Sequence, residues 1–169
     1  LYWIVISLTF DQSFKFLIPI AIILLPAFLA IFYGLITYLF SIFYSKNVVS
    51  SFFIFSTLFG IIEFLRGSIL TGFPWNLIAF SFSDSLYFIQ ILSVVGTYSL
   101  NLFCISLFTV SAIFILGKSK KEIIICFSFI LISLTFLTFG KIKNDNFNSL
   151  KSIKNPYIIR ALTPNIKLD

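Results

Sequence analysis

Residues 16–44 read FLIPIAIILLPAFLAIFYGLITYLFSIFY, a run without a single charged side chain. A helix needs about 20 mainly apolar residues to cross the roughly 30 Å hydrocarbon layer of a bilayer, so this run is long enough to span with tilt or a kink. Pro19 and Pro26 lie near its start, where each removes a backbone donor, and bending is expected there. The polar turn Asp11-Gln12-Ser13-Phe14-Lys15 precedes the run and Ser45-Lys46-Asn47 ends it. Outward from it, further spans are expected at residues 48–66, 87–116 and 122–140. The composition agrees: 59% apolar residues, 11% charged residues and a mean hydropathy of +1.08 leave too little polar surface to coat a water-soluble globule. The expected fold class is therefore an all-α multi-pass membrane helix bundle. The 24 phenylalanines come with much Ile, Asn and Lys, which fits an AT-rich coding bias, so they carry no functional weight.

Residues 1–140 read as one polytopic membrane domain, residues 141–155 as a polar, basic linker, and residues 156–169 as the start of something else. Residues 1–9 are apolar but too short to span, and look like the exit end of a partial helix. The chain contains no methionine, and the expectation is that it is a piece of a longer protein. No basic n-region precedes residues 1–9, which argues against a signal peptide. Residues 157–162 are β-rich and lie between Pro156 and Pro164, so they are expected to form one strand. One strand cannot stabilise itself in water.

Orientation follows from the charge of short loops, because positive residues are retained on the cytoplasmic side. The turns holding Lys46 and Lys118, Lys120 and Lys121 are one hairpin round trip apart and are placed in the cytoplasm. That puts the loop at residues 66–86 and the tail outside. The tail carries Lys141, Lys143, Lys151, Lys154, Arg160 and Lys167, more positive charge than either inner loop; a large domain continuing from it would remove the conflict, and a tail ending at Asp169 would invert the topology.

The chemistry-bearing stretch is Glu63-Phe64-Leu65-Arg66-Gly67-Ser68-Ile69-Leu70-Thr71-Gly72-Phe73-Pro74-Trp75-Asn76. Charges beside a bilayer core are expensive and have a job or a partner. Glu63 and Arg66 are one helical turn apart on one face, which suits an ion pair at the membrane interface with the arginine snorkelling to water. It equally suits a substrate portal in which the planar Arg66 guanidinium meets a phospholipid phosphate. Gly67, Gly72, Phe73, Pro74 and Trp75 suit a re-entrant or interfacial turn, or the lining of a lateral opening for acyl chains.

On the Glu63 to Arg66 and Gly67 residues, followed by Thr71-Gly72-Phe73-Pro74-Trp75, the chain resembles bacterial apolipoprotein N-acyltransferase. A second likeness is Ile159-Arg160-Ala161-Leu162-Thr163-Pro164-Asn165-Ile166, which looks like the opening strand of that family's nitrilase-like α/β sandwich domain; Thr163 stands where glutamine is usual. The resemblance implies a multi-pass enzyme of the bacterial inner membrane. Its partners would be a phospholipid acyl donor, an apolipoprotein acceptor and the bilayer itself. It implies substrate-binding roles for Glu63, Arg66, Phe73, Pro74 and Trp75. It also implies that the cysteine nucleophile, glutamate base and lysine of the reaction belong to the nitrilase-like domain and lie beyond Asp169, so that this chain alone is inert.

Cys104 and Cys126 do not replace that nucleophile. Both sit inside apolar runs where a thiolate is disfavoured, and the chain has no histidine to activate either. No metal site, cofactor or nucleic-acid partner is expected: no ligand set, no glycine-rich phosphate loop after a strand, and no basic stripe occurs. Two other classes stay open on the residues alone: a non-catalytic remnant or split membrane protein, and a small transporter subunit. The transporter needs polar groups deep inside several spans, whereas the charges here cluster at span ends.

Overall fold

The computed structural model describes residues 6–69, 72, 74, 76–117 and 119–150. Among them, four helical segments are long and apolar enough to cross a membrane: Gln12–Phe43, Val48–Ser68, Thr97–Leu116 and Lys120–Ser149. The first consists of a 3-10 turn, Gln12–Leu17, that runs into α1, Ile18–Phe43. Asp11 starts it by accepting the Ser13 N–H at 2.8 Å. Pro19 occupies the first helical turn, where its missing N–H has no intrahelical partner to lose. Pro26 lies inside α1, which continues through it.

The second segment, α2, spans Val48–Ser68 and begins at Asn47, whose side chain accepts the Ser50 N–H at 3.0 Å. Ser51 hydroxyl closes the α1–α2 turn by bonding the Ser45 carbonyl. Chain reversal therefore falls at the polar break seen in the sequence.

The expected span at residues 87–116 is divided. Two short helices, α3 (Leu86–Ile89) and α4 (Leu92–Val95), precede the spanning helix α5 (Thr97–Leu116). The break is at Gly96, whose φ of 77° lies in the left-handed region that favours glycine. The apolar stretch Leu86–Val95 is half the length a crossing requires, and packs on its neighbours instead. A 3-10 turn, Ile78–Phe82, packs on α5 just before it.

The last helix, α6, covers Lys120–Ser149. Glu122 braces its start by accepting the Ser119 N–H at 2.6 Å. Its 30 residues are about 45 Å long at the usual rise per residue, well beyond a bilayer core. The expected linker from residue 141 is thus helical as far as Ser149. The partial helix expected at residues 1–9 is a 3-10 turn over Ile6–Thr9, and residues 1–5 lie outside the described residues, as does the strand expected at 157–162.

Packing follows the hairpins. α2 packs against α5 and α1, α5 against α6, and α3 against α6. Two apolar clusters hold the centre. Ala79, Phe88, Ile91, Leu100 and Cys104 form one, with Phe103 and Phe136 packed on it; Phe52, Val110 and Ile113 form the other, with Phe129 and Cys126. Edge-to-face contacts such as Phe52 on Phe129, at 5.8 Å between centroids, join α2 to α6 through the second cluster. Large side chains such as Ile23, Ile115 and Phe127 point outward, as expected of helices whose outer face meets hydrocarbon.

Candidate functional site

The Glu63–Arg66 pair forms on the last turns of α2. An Arg66 terminal guanidinium nitrogen donates to Glu63 Oε2 at 2.7 Å, and both residues are 2% exposed. The i,i+3 spacing places them on one face, and α2 turns that face into the protein. The snorkelling geometry is therefore not adopted: the guanidinium bends onto the carboxylate and both leave water together. Removing two charges from water costs several kcal/mol per ion and is offset only by good geometry and further hydrogen bonds. Tyr33 of α1 supplies part of that surrounding, with its phenol in electrostatic reach of both Glu63 and Arg66.

Beyond α2 the backbone turns at once. Gly72 N–H bonds the Ile69 carbonyl at 3.0 Å, and Asn76 takes a left-handed φ of 59°, which its short amide side chain tolerates. Gly67 packs directly under the Tyr98 hydroxyl of α5, and Phe64 meets the Tyr98 ring edge-on at 5.1 Å. A cavity of about 490 Å³ opens here, lined by Pro74, Asn76, Leu77, Phe80, Thr97 and Tyr98. Its volume falls within the usual range of ligand pockets, roughly 300–1,000 Å³.

Of the five residues singled out in the sequence, Glu63 and Arg66 are brought together, and Pro74 lines the cavity; Phe73 and Trp75 lie outside the described residues. Asn101 was missed. Its Oδ1 accepts the Ala79 N–H at 3.0 Å with both residues buried, which pins the 3-10 turn after the cavity to the second turn of α5. The available signal was an amide inside an otherwise apolar span, a residue type that is costly in hydrocarbon without a partner. Tyr98 was also missed, since an aromatic at the start of a span reads simply as an interface anchor.

The cysteines fill space. Cys104 is fully buried in the first cluster, and the Cys126 thiol contacts the Val110 carbonyl at 3.6 Å in the second. Among the described residues, no group of three His, Cys, Asp or Glu side chains gathers that could hold a metal ion.

A bundle of apolar spanning helices, with a buried ion pair at the end of one of them and a largely apolar cavity lined by the chain that follows, defines a multi-pass membrane protein. The model of the apolipoprotein N-acyltransferase N-terminal domain matches residues 1–110, and the chain belongs to that family. An apolipoprotein N-acyltransferase of Rickettsia prowazekii is 33% identical over 168 residues, covering 98% of this chain and 33% of that protein. One of Rhizobium etli is 36% identical over 115 residues, covering 68% of this chain and 21% of the relative. One of Brucella melitensis is 28% identical over 167 residues, covering 98% and 31% respectively. The chain thus spans between about a fifth and a third of the length of these relatives. No solved structure matches it.

Proposed function

We propose that this chain is the membrane part of an apolipoprotein N-acyltransferase of the bacterial inner membrane. The enzyme would move an acyl chain from a phospholipid to the α-amino group of a lipoprotein's N-terminal diacylglyceryl-cysteine. The observation that carries this reading is the family match over residues 1–110, extended by a relative of that name aligned over almost the whole chain.

In the proposed reaction a thiolate attacks the phospholipid ester, the carbon–oxygen bond breaks, and the lysophospholipid leaves with a proton. The acceptor amine then attacks the thioester, the carbon–sulfur bond breaks, and an amide forms as the amine gives up a proton. Neither cysteine here suits the first step, since Cys104 is sealed in the bundle and Cys126 packs on a helix backbone. The resemblance assigns the chemistry to a nitrilase-like domain that holds cysteine, glutamate and lysine, and on this reading the chain by itself transfers nothing.

The helices bring lipid to that domain. Glu63, Arg66, Phe73, Pro74 and Trp75 are assigned to substrate binding, on the outward side of the membrane. Pro74 lines the cavity, and Phe73 and Trp75 flank it in sequence. In this reading the Arg66 guanidinium, buried at rest on Glu63, meets a phospholipid phosphate when the pair opens to admit substrate, and Glu63 holds the side chain in place until then.

A chimera tests the reading. This chain replaces the aligned segment of the Rickettsia prowazekii relative, and the product is assayed for acyl transfer from phospholipid to a diacylglyceryl-cysteine peptide. Transfer by the chimera and none by this chain alone is the expected result. An inserted, stable chimera without activity, or activity from the chain alone, overturns it.

A further inference from the structure

We infer that the end of the bundle opposite the Glu63–Arg66 pair binds an anionic phospholipid, with one acyl chain held between α1, α2 and α5 and the headgroup at the lysine-bearing turns. The cavity there has a volume of about 390 Å³, and Phe40, Tyr44, Phe52, Phe55, Ala112 and Ile113 form much of its wall. It lies between α1, α2 and α5, and Phe40 of α1 and Phe55 of α2 meet edge-to-face in its wall at 5.4 Å between centroids.

The chemistry of the wall selects hydrocarbon. Two hydroxyls line this cavity besides that of Tyr44, and both are already engaged by backbone. Ser51 bonds the Ser45 carbonyl, and Thr109 donates to the Ile105 carbonyl at 2.7 Å. A cavity with so few open polar groups offers water too few partners, and such spaces take apolar ligands. In a spanning bundle the nearest apolar ligand is a lipid tail.

The charge at the mouth selects the headgroup. Tyr44 and Val48 line the cavity, and exposed Lys46 stands between them in the α1–α2 turn. Leu116 lines it as well, and the first turn of α6, which follows shortly, carries exposed Lys120 and Lys121. Glu122, the acid of that turn, is committed to the Ser119 N–H. The chain next to the mouth is therefore basic on both sides, complementary to a phosphate diester that bears a net negative charge. Basic residues at a membrane surface draw anionic lipid toward them.

The site is distinct from the cavity at Pro74, since it is built on the other end of α2 and α5. It does not depend on acyl transfer. A lipid seated there would fill a gap between three helices and hold them in register.

The test uses the chain in nanodiscs of phosphatidylethanolamine and phosphatidylglycerol at three to one, with trace phosphatidylglycerol carrying a diazirine in its acyl chain. After irradiation, label is expected on peptides holding Phe40, Phe55 and Ile113 several-fold above that on the outward α6 residues Phe127 and Leu131. Ala112→Phe, which fills the cavity, is expected to abolish the excess. Substituting Lys46, Lys120 and Lys121 together by glutamine keeps the acyl labelling but is expected to remove the preference for phosphatidylglycerol over a phosphatidylethanolamine probe. Even labelling of all outward faces, or labelling unchanged by Ala112→Phe, overturns the proposal. So does a cross-link from position 112 to another protein segment in a full-length relative carrying this chain, since a helix would then be the occupant. Folding of each variant is checked by helical circular dichroism, and the lysine variant keeps the proposal decidable if Ala112→Phe does not fold.

Discussion

Asn101 in the second turn of a spanning helix accepts the backbone N–H of Ala79, at 3.0 Å, although the two residues are 22 positions apart. The bond fixes the return of the chain after the Pro74 cavity. Asn101→Leu leaves the Ala79 N–H buried without that acceptor, at a cost of about 1–3 kcal/mol. Ser106→Ala in the same helix removes only a bond to the preceding turn, at 2.9 Å to Leu102, and is expected to change stability by less than about 0.5 kcal/mol. Thermal unfolding in a fixed detergent compares the two, and equal losses count against a structural role for Asn101.

The buried pair makes a sharper forecast. Either Arg66→Ala or Glu63→Ala breaks the buried pair, and each single change is expected to cost about 3–5 kcal/mol. Replacing both, as Glu63→Leu with Arg66→Met, is expected to be much less harmful than the sum of the singles. A double-mutant cycle read by unfolding measures this, and additive losses refute the coupling.

In the acyl-transfer chimera, Arg66→Ala is expected to lower the rate on the order of tenfold or more, whereas Lys46→Ala at the opposite end changes it little. Equal effects on rate would return Arg66 to a purely structural role.

Gly140 and Gly34 give a matched pair for packing. A Cβ at Gly140 would fall 1.7 Å from the Tyr87 carbonyl oxygen, a backbone atom that cannot swing aside, while nothing lies within 4 Å of one at Gly34. Gly140→Ala should therefore pry α3 from α6 and lower the melting temperature. Gly34→Ala should gain up to about 1 kcal/mol from helix propensity. A Gly140→Ala protein as stable as the parent would show that α3 does not seat on α6 in solution.

Orientation is open to direct measurement. With both native cysteines replaced, Ser119→Cys is expected to react with an impermeant maleimide only from the cytoplasm, and Asp84→Cys only from outside. The reverse pattern inverts the topology.

Much of the bundle was legible because spanning helices announce themselves by length and hydropathy, as residues 16–44 do. The Glu63–Arg66 contact was legible from spacing alone, but its burial was not, because the sequence does not say which way the end of α2 faces. The division of the third span was hidden for a different reason. Leu86–Val95 is as apolar as a crossing helix, and only the backbone angle at Gly96 separates it from α5. Asn101 was passed over because its partner is a main-chain N–H, which leaves no trace in residue types. The helical stretch after Lys141 was read as linker because its polar residues match water, yet apart from Gly140 nothing in it stops a helix that is already propagating.

That continuation of α6 has a mechanical meaning. A rod that outruns the hydrocarbon by roughly 15 Å acts as a stilt: the chain leaves Ser149 at a set height and compass bearing above the lipid. Deleting one residue from residues 141–149 would lower the exit point by about 1.5 Å and swing it by about 100°. The bearing would suffer far more than the height.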